Sequence, residues 1–153
     1  MAGIRLGMSL ADARLVIPGS QFERSSDGDG AALVSVKVDT IDLLSLHASE
    51  DDAAAPIDST KIISFIETFH PSCRTTDGVH AGALVTDVQN TLGPIARIIE
   101  SEIESRQYIS FERQPSWLTF RLDYTAVFPA GSRETKEFKP DARLFSISIS
   151  RHN

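Results

Sequence analysis

Apolar residues recur at helical spacing in two stretches of this chain, and both begin the same way. Leu10, Ala13 and Ile17 form one stripe. An extended piece over residues 4–6, a turn at Gly7 and an N-cap at Ser9 lead into it, with Asp12 three residues on as a short capping-box partner. Pro18 and Gly19 stop the helix. Val85, Val88 and Leu92 rebuild the stripe later, although Leu84 stands where Ser9 caps the first helix, so the second helix is frayed or capped differently. Setting Gly3 on Gly78 also puts Gly7 on Gly82, Asp12 on Asp87 and Ile17 on Leu92, with a Pro/Gly pair closing both. A chain that restates its opening halfway along is expected to be two copies of one unit. The copies are residues 1–76, with a linker, and residues 77–153, joined in one compact domain.

Between the helical stretches the pattern changes to a period of two. Val34, Val36 and Val38 alternate with Ser35 and Lys37, which predicts a strand with one buried and one wet face. Residues 25–30, dense in Ser, Asp and Gly, form the hairpin tip before it. Residues 41–47 and 61–69 continue as strands, the latter with Ile63, Phe65 and Phe69 on one face and Ile62, Ser64, Ile66 and Thr68 on the other. In the second half residues 95–106 predict a hairpin turning near 102–105, followed by strands over 108–113, 117–124 and 142–150. In the last, Leu144, Ser146 and Ser148 alternate with Phe145, Ile147 and Ile149. The fold class expected is therefore α+β: two similar helix-plus-antiparallel-strand repeats forming one antiparallel sheet, or two abutting sheets, with the helices packed on one face.

Composition narrows the functional classes. At 153 residues, 41% hydrophobic and 24% charged, the chain suits an ordinary folded domain and needs no disulfide framework. A net charge of −6 without any run of Lys or Arg argues against nucleic acid or an anionic membrane as partner. No stretch is long and apolar enough to span a bilayer, and the N-terminus has no basic and apolar leader pattern.

The pattern Gly-Ile-x-x-Gly-x-Ser-x-x-Asp-Ala with its Pro/Gly stop, over residues 3–19 and more degenerately over 78–94, resembles the repeat of small extracytoplasmic bacterial modules. These are of the outer-membrane assembly lipoprotein BamE type and the β-lactamase inhibitor protein type. The resemblance implies a helix lying on an antiparallel sheet, a non-catalytic binding role and a periplasmic or secreted location, with the cytoplasm as the alternative. It carries no functional residue onto this chain, whose single Cys73 cannot supply the disulfides of the inhibitor type.

Candidate chemistry lies between the copies. His70, Cys73 and His80 form the one Cys/His cluster, a possible binding or reactive site, but it is one ligand short of a closed zinc site and matches no zinc spacing. A thiolate with a nearby imidazole would also serve as a nucleophile. Asp27-Gly28-Asp29-Gly30 and Glu50-Asp51-Asp52 lack the spacing of a calcium loop. Neither glycine turn has a GxGxxG run or a P-loop lysine. Trp117 and Phe120 fall on opposite faces of their strand, so one of them is available to a surface.

The reading that emerges is a non-catalytic binding or interaction module of a bacterial cell envelope. It needs no cofactor and no metal, and meets another protein through the open face of its sheet, where serines, threonines and charges alternate outward. The alternatives are a small enzyme using Cys73 with a linker histidine, and a cytoplasmic structural subunit.

Overall fold

The computed structural model describes residues 1–150. In chain order its elements are α1 (Leu10–Val16), β1 (Ser20–Ser26), β2 (Ala32–Val38), β3 (Ile41–His47) and β4 (Phe65–Thr68). There follow α2 (Val85–Leu92), β5 (Ile95–Glu100), β6 (Gln107–Phe111), β7 (Leu118–Leu122), β8 (Glu134–Thr135) and β9 (Leu144–Ser150). The strands make one nine-stranded antiparallel sheet in the order β1-β2-β3-β4-β9-β7-β6-β5-β8.

This corrects the α+β expectation. The molecule is predominantly a β-sheet, and its two helices are only seven and eight residues long. The physical reason lies in how little each helix can cover. α1 buries Leu10 and Ala13, and α2 buries Val85, Val88 and Leu92, before the chain turns away at Ile17 and at Gly93, whose φ is 83°. Irregular chain supplies further cover: Ile4, Ala48, Ile63 and Cys73 join one buried apolar cluster, and Val79 and Ala142 the other. Two apolar clusters result, one around β1 to β4 and one around β5 to β9, and Ile149 on β9 packs against both.

Most predicted strands form, with shifted ends. The segment expected as one strand over residues 61–69 does not. Only Phe65–Thr68 joins the sheet, because residues 61–63 instead pair with the segment leading into α1. There Gly7 N donates to Ile63 O at 2.8 Å, Ile63 N to Met8 O at 2.9 Å and Leu10 N to Lys61 O at 3.0 Å. The segment leading into α2 docks through matching bonds: Gly82 N to Leu144 O at 2.7 Å, Leu144 N to Ala83 O at 3.0 Å and Val85 N to Ala142 O at 2.9 Å.

The Ser9 side chain caps α1 by accepting from Asp12 N at 3.0 Å, whereas Leu84 gives α2 no side-chain cap. The hairpin from β5 to β6 turns where its sequence predicts, closed by Ser101 N to Arg106 O at 2.8 Å. The short β8, which no periodicity marks, adds to β5 at the edge.

β9 departs from its predicted alternation at one place. Arg121 pairs with Ser146 but Leu122 with Leu144, so Phe145 is an extra residue in a bulge. Leu144 and Ile147 are thereby both buried, and Phe145 leaves the face of Ile147 and Ile149.

Candidate functional site

The inner face of the sheet takes Val34, Val36, Leu46, Ile66, Ile147 and Phe120 into the core. Because side chains alternate across a strand, the intervening residues project from the other face. Strand register then builds rows there. Ser35 on β2 pairs with Ser45 on β3, Ser45 with Glu67 on β4, Glu67 with Ser148 on β9, and Ser148 with Thr119 on β7. A neighbouring row joins His47, Phe65 and Ser150. A cleft of about 680 Å³ opens on this face, lined by residues that include Leu33, Ser45, Phe65, Glu67, Arg106 and Arg121. That volume is within the range of small-ligand sites.

The cleft's polar groups differ in how fully they are engaged. Asp27 Oδ1 accepts from the backbone nitrogens of Asp29 at 3.0 Å and Ala31 at 2.8 Å, which closes the hairpin turn between β1 and β2. Lys37 donates to Glu23 at 2.7 Å and stands 3.8 Å from Asp42, and its pKa is raised by that hydrogen bond and by the charge of Asp42. Glu67 Oε1 accepts from Ser146 Oγ at 2.6 Å. Arg106 pairs with Glu104 at 3.1 Å. Burial works against its charge, but contact with Tyr108 and the carboxylates of Glu104 and Glu67 outweighs that, so its pKa lies above the ordinary value.

Arg121 is the least satisfied. Its guanidinium carbon lies 4.8 Å from the centroid of the Phe145 ring, a cation–π contact made possible by the β9 bulge. Phe145 in turn meets Phe69 edge-on with centroids 5.4 Å apart. The nearest carboxylate oxygen, on Glu67, stands 3.6 Å from Nη1, beyond hydrogen-bond length. Arg121 Nε is buried and has no hydrogen-bond partner among the described residues. An orphaned buried donor of this kind costs about 1–3 kcal/mol.

The sequence-predicted cluster is dispersed into separate contacts. Cys73 is 3% exposed, packed in the first apolar cluster with its Sγ 3.9 Å from Leu43 O. His70 Nδ1 bonds Ser72 Oγ at 2.7 Å, and His80 Nδ1 bonds Ala81 O at 2.8 Å. His80 borders a smaller depression of about 220 Å³ beside the start of α2, with Asp77, Asp87 and Arg143. Among the described residues no group of three or more His, Cys, Asp or Glu side chains could hold a metal ion. Of the aromatics, Phe120 is fully buried whereas Trp117 and Tyr124 are about half exposed.

Sequence reasoning found the outward serines and charges but missed Glu67, Arg121 and Phe145 as a group. The alternation places Glu67 outward, yet nothing local says that β4 neighbours β9 or that a bulge turns Phe145 toward Arg121.

No protein-family model matches the chain, and no curated protein matches its sequence. Its fold is similar to that in the crystal structure of the uncharacterized protein yfeY from Escherichia coli, with a TM-score of 0.58. The two share 10% identity, over 95% of this chain and 90% of that one, so the likeness is one of fold.

Proposed function

We propose that this chain is a non-catalytic binding module of a bacterial cell envelope, working through the uncovered face of its sheet. The observation that carries the reading is the cleft of about 680 Å³ on that face, with rows of hydroxyls around an under-satisfied Arg121. Binding without chemistry is supported by the engagement of the reactive candidates elsewhere, Cys73 in the core and both histidines with neighbouring groups. The envelope location, periplasmic or secreted, rests on the resemblance of residues 3–19 and 78–94 to BamE-type and inhibitor-type modules. Descent of residues 1–76 and 77–153 from one unit belongs to the same proposal. Its support is the matching set of bonds by which Gly7 and Gly82 dock their segments, although the last three positions of the second unit lie outside the described residues.

A photo-crosslinking residue at Ser45, on the uncovered face, tests the reading against one at Leu15, which is 82% exposed on α1. Adducts in envelope fractions, with a small molecule or a protein, are expected from position 45. Adducts from position 15 alone would overturn the proposal.

A further inference from the structure

We infer that the cleft takes a single-chain amphipathic anion, an alkyl carboxylate or phosphate, with its acid group at Arg121 and its apolar chain laid across Phe69, Phe65 and Leu33. The inference rests on the proposed binding role of the uncovered face and names the ligand class. Charge sign comes from which groups are already used. Every carboxylate lining the cleft has a partner: Asp27 its own turn, Asp42 the ammonium of Lys37, Glu67 the hydroxyl of Ser146. Two of the cations are likewise taken, Lys37 by Glu23 at 2.7 Å and Arg106 by Glu104 at 3.1 Å.

Arg121 remains. A guanidinium carries five donors; Nε is buried here, so the Nη donors are the ones that face a ligand in the cleft, and their nearest carboxylate oxygen is 3.6 Å away. A planar carboxylate or a phosphate is the group that a guanidinium fork binds through two parallel hydrogen bonds. The Phe145 ring, 4.8 Å away, leaves the guanidinium edge as its donating side. Arg106 lines the same cleft, with its charge already paired to Glu104.

The apolar part follows from position across the sheet. Phe69 is 47% exposed and touches Phe145, which adjoins Arg121. Phe65 is four residues back, on the outward face of β4 with Glu67 between the two rings, opposite His47, and Leu33 lies beyond on β2. From β7 to β2 the order runs through β9, β4 and β3. Four strand spacings are roughly 19 Å, a span that suits an extended chain with one charged end.

Dodecanoate and dodecyl phosphate, below micellar concentration, are the probes, with dodecanol and dodecylammonium as neutral and cationic controls. Calorimetric titration of the full chain is expected to show both anions binding and dodecylammonium not binding. Arg121→Gln is expected to weaken the anions at least about tenfold while changing dodecanol by less than about threefold. Phe69→Ser, at a half-exposed site where folding is little affected, is expected to weaken dodecanoate and dodecanol alike. Preference for one anion over the other separates a fatty acid from a phosphorylated headgroup as the source, and either preference supports the inference. Equal binding of dodecanoate and dodecanol, unaltered by Arg121→Gln, would overturn the anion assignment and leave the binding face standing. Crosslinking of a protein at Ser45 with no probe bound would also overturn the ligand class alone. Adducts at Leu15 only, with no probe bound, would remove both.

Discussion

Arg121 Nη1 stands 3.6 Å from Glu67 Oε1, in ion-pair range yet beyond a hydrogen bond, because Ser146 Oγ already donates to that oxygen at 2.6 Å. The pair is therefore a loose one, and its coupling should be small. A double-mutant cycle of Glu67→Gln and Arg121→Met in urea denaturation is expected to give less than about 1 kcal/mol. A coupling above about 2 kcal/mol would mean that Glu67 saturates the guanidinium and that Arg121 has nothing to offer a ligand.

Arg24 and Glu50 make the opposite kind of contact. Arg24 Nη1 and Nη2 reach the two Glu50 oxygens at 2.7 and 2.6 Å, and Arg24 also donates to Ala55 O and Pro56 O at 3.0 Å each. Glu50 accepts from Asp58 N as well, so this pair pins the long connection between β3 and β4 beneath β1. Glu50→Gln is expected to cost about 2–4 kcal/mol, since it leaves a largely buried guanidinium without its counter-charge. Protease cleavage within residues 51–58 should rise in parallel; unchanged resistance would count against the pin.

The same pair sets an acid dependence. The Arg24 hydrogen bonds hold the Glu50 carboxyl below its ordinary pKa of 4.5, against the opposing effect of burial. A carboxyl depressed in the folded state contributes stability that is full above its unfolded pKa and is lost as pH falls through the folded one. Denaturation midpoints from pH 7 downward should hold until about the ordinary carboxylate range and then fall. In Glu50→Gln that fall should be shallower, and an equally steep acid limb would refute the assignment.

Two framework glycines, one in each half of the chain, should respond differently to alanine. Gly82 has a φ of +82° with nothing near the place a Cβ would occupy, so Gly82→Ala should cost about 1 kcal/mol from backbone strain alone. At Gly3, φ is +84° and an added Cβ would lie 2.6 Å from Val16 Cγ1 on α1. Gly3→Ala should cost about 1–3 kcal/mol more than Gly82→Ala, by strain plus overpacking. Equal losses in thermal denaturation would show that the Val16 contact adds no cost.

Cys73, 3% exposed, gives the enzyme alternative its sharpest test. Alkylation by iodoacetamide at neutral pH should be slower than for free cysteine and should accelerate in denaturant, as expected for a thiol reached only by opening. Cys73→Ala is expected to cost about 1–2 kcal/mol by loss of packing. Rapid alkylation of the native protein would revive a nucleophilic role.

The strand faces were readable from particular residues. Ser35 and Ser45 project outward, and Val34, Val36 and Leu46 inward, as their spacing says. The overreach at residues 61–69 shows the limit: Ile62 and Ile63 are as strand-like as Ile66, but Lys61 and Ile63, on either side of Ile62, spend their backbone bonds on the α1 lead-in. The pattern overstates the helical content for a related reason. A stripe of three apolar residues predicts a helix but not that it ends within two turns and leaves the remaining cover to loops such as the one bearing Cys73 and Val79. Of the candidate site, the outward serines were visible, while His70, Cys73 and His80 drew attention because they are close in sequence, a closeness their side chains do not turn into a shared site.

By itself the sequence determined where helices start and stop, where hairpins turn, and which side of most strands is wet, because all of these depend on neighbours within a few residues. Only the tertiary structure decided which strands lie side by side. The meeting of β4 with β9 joins Glu67 to Ser146 across 79 positions of chain, and the bulge in β9 sets Phe145 beneath Arg121. Those contacts make the cleft. They arise from the competition of every strand for a place in one sheet and one core, a condition that no local pattern encodes.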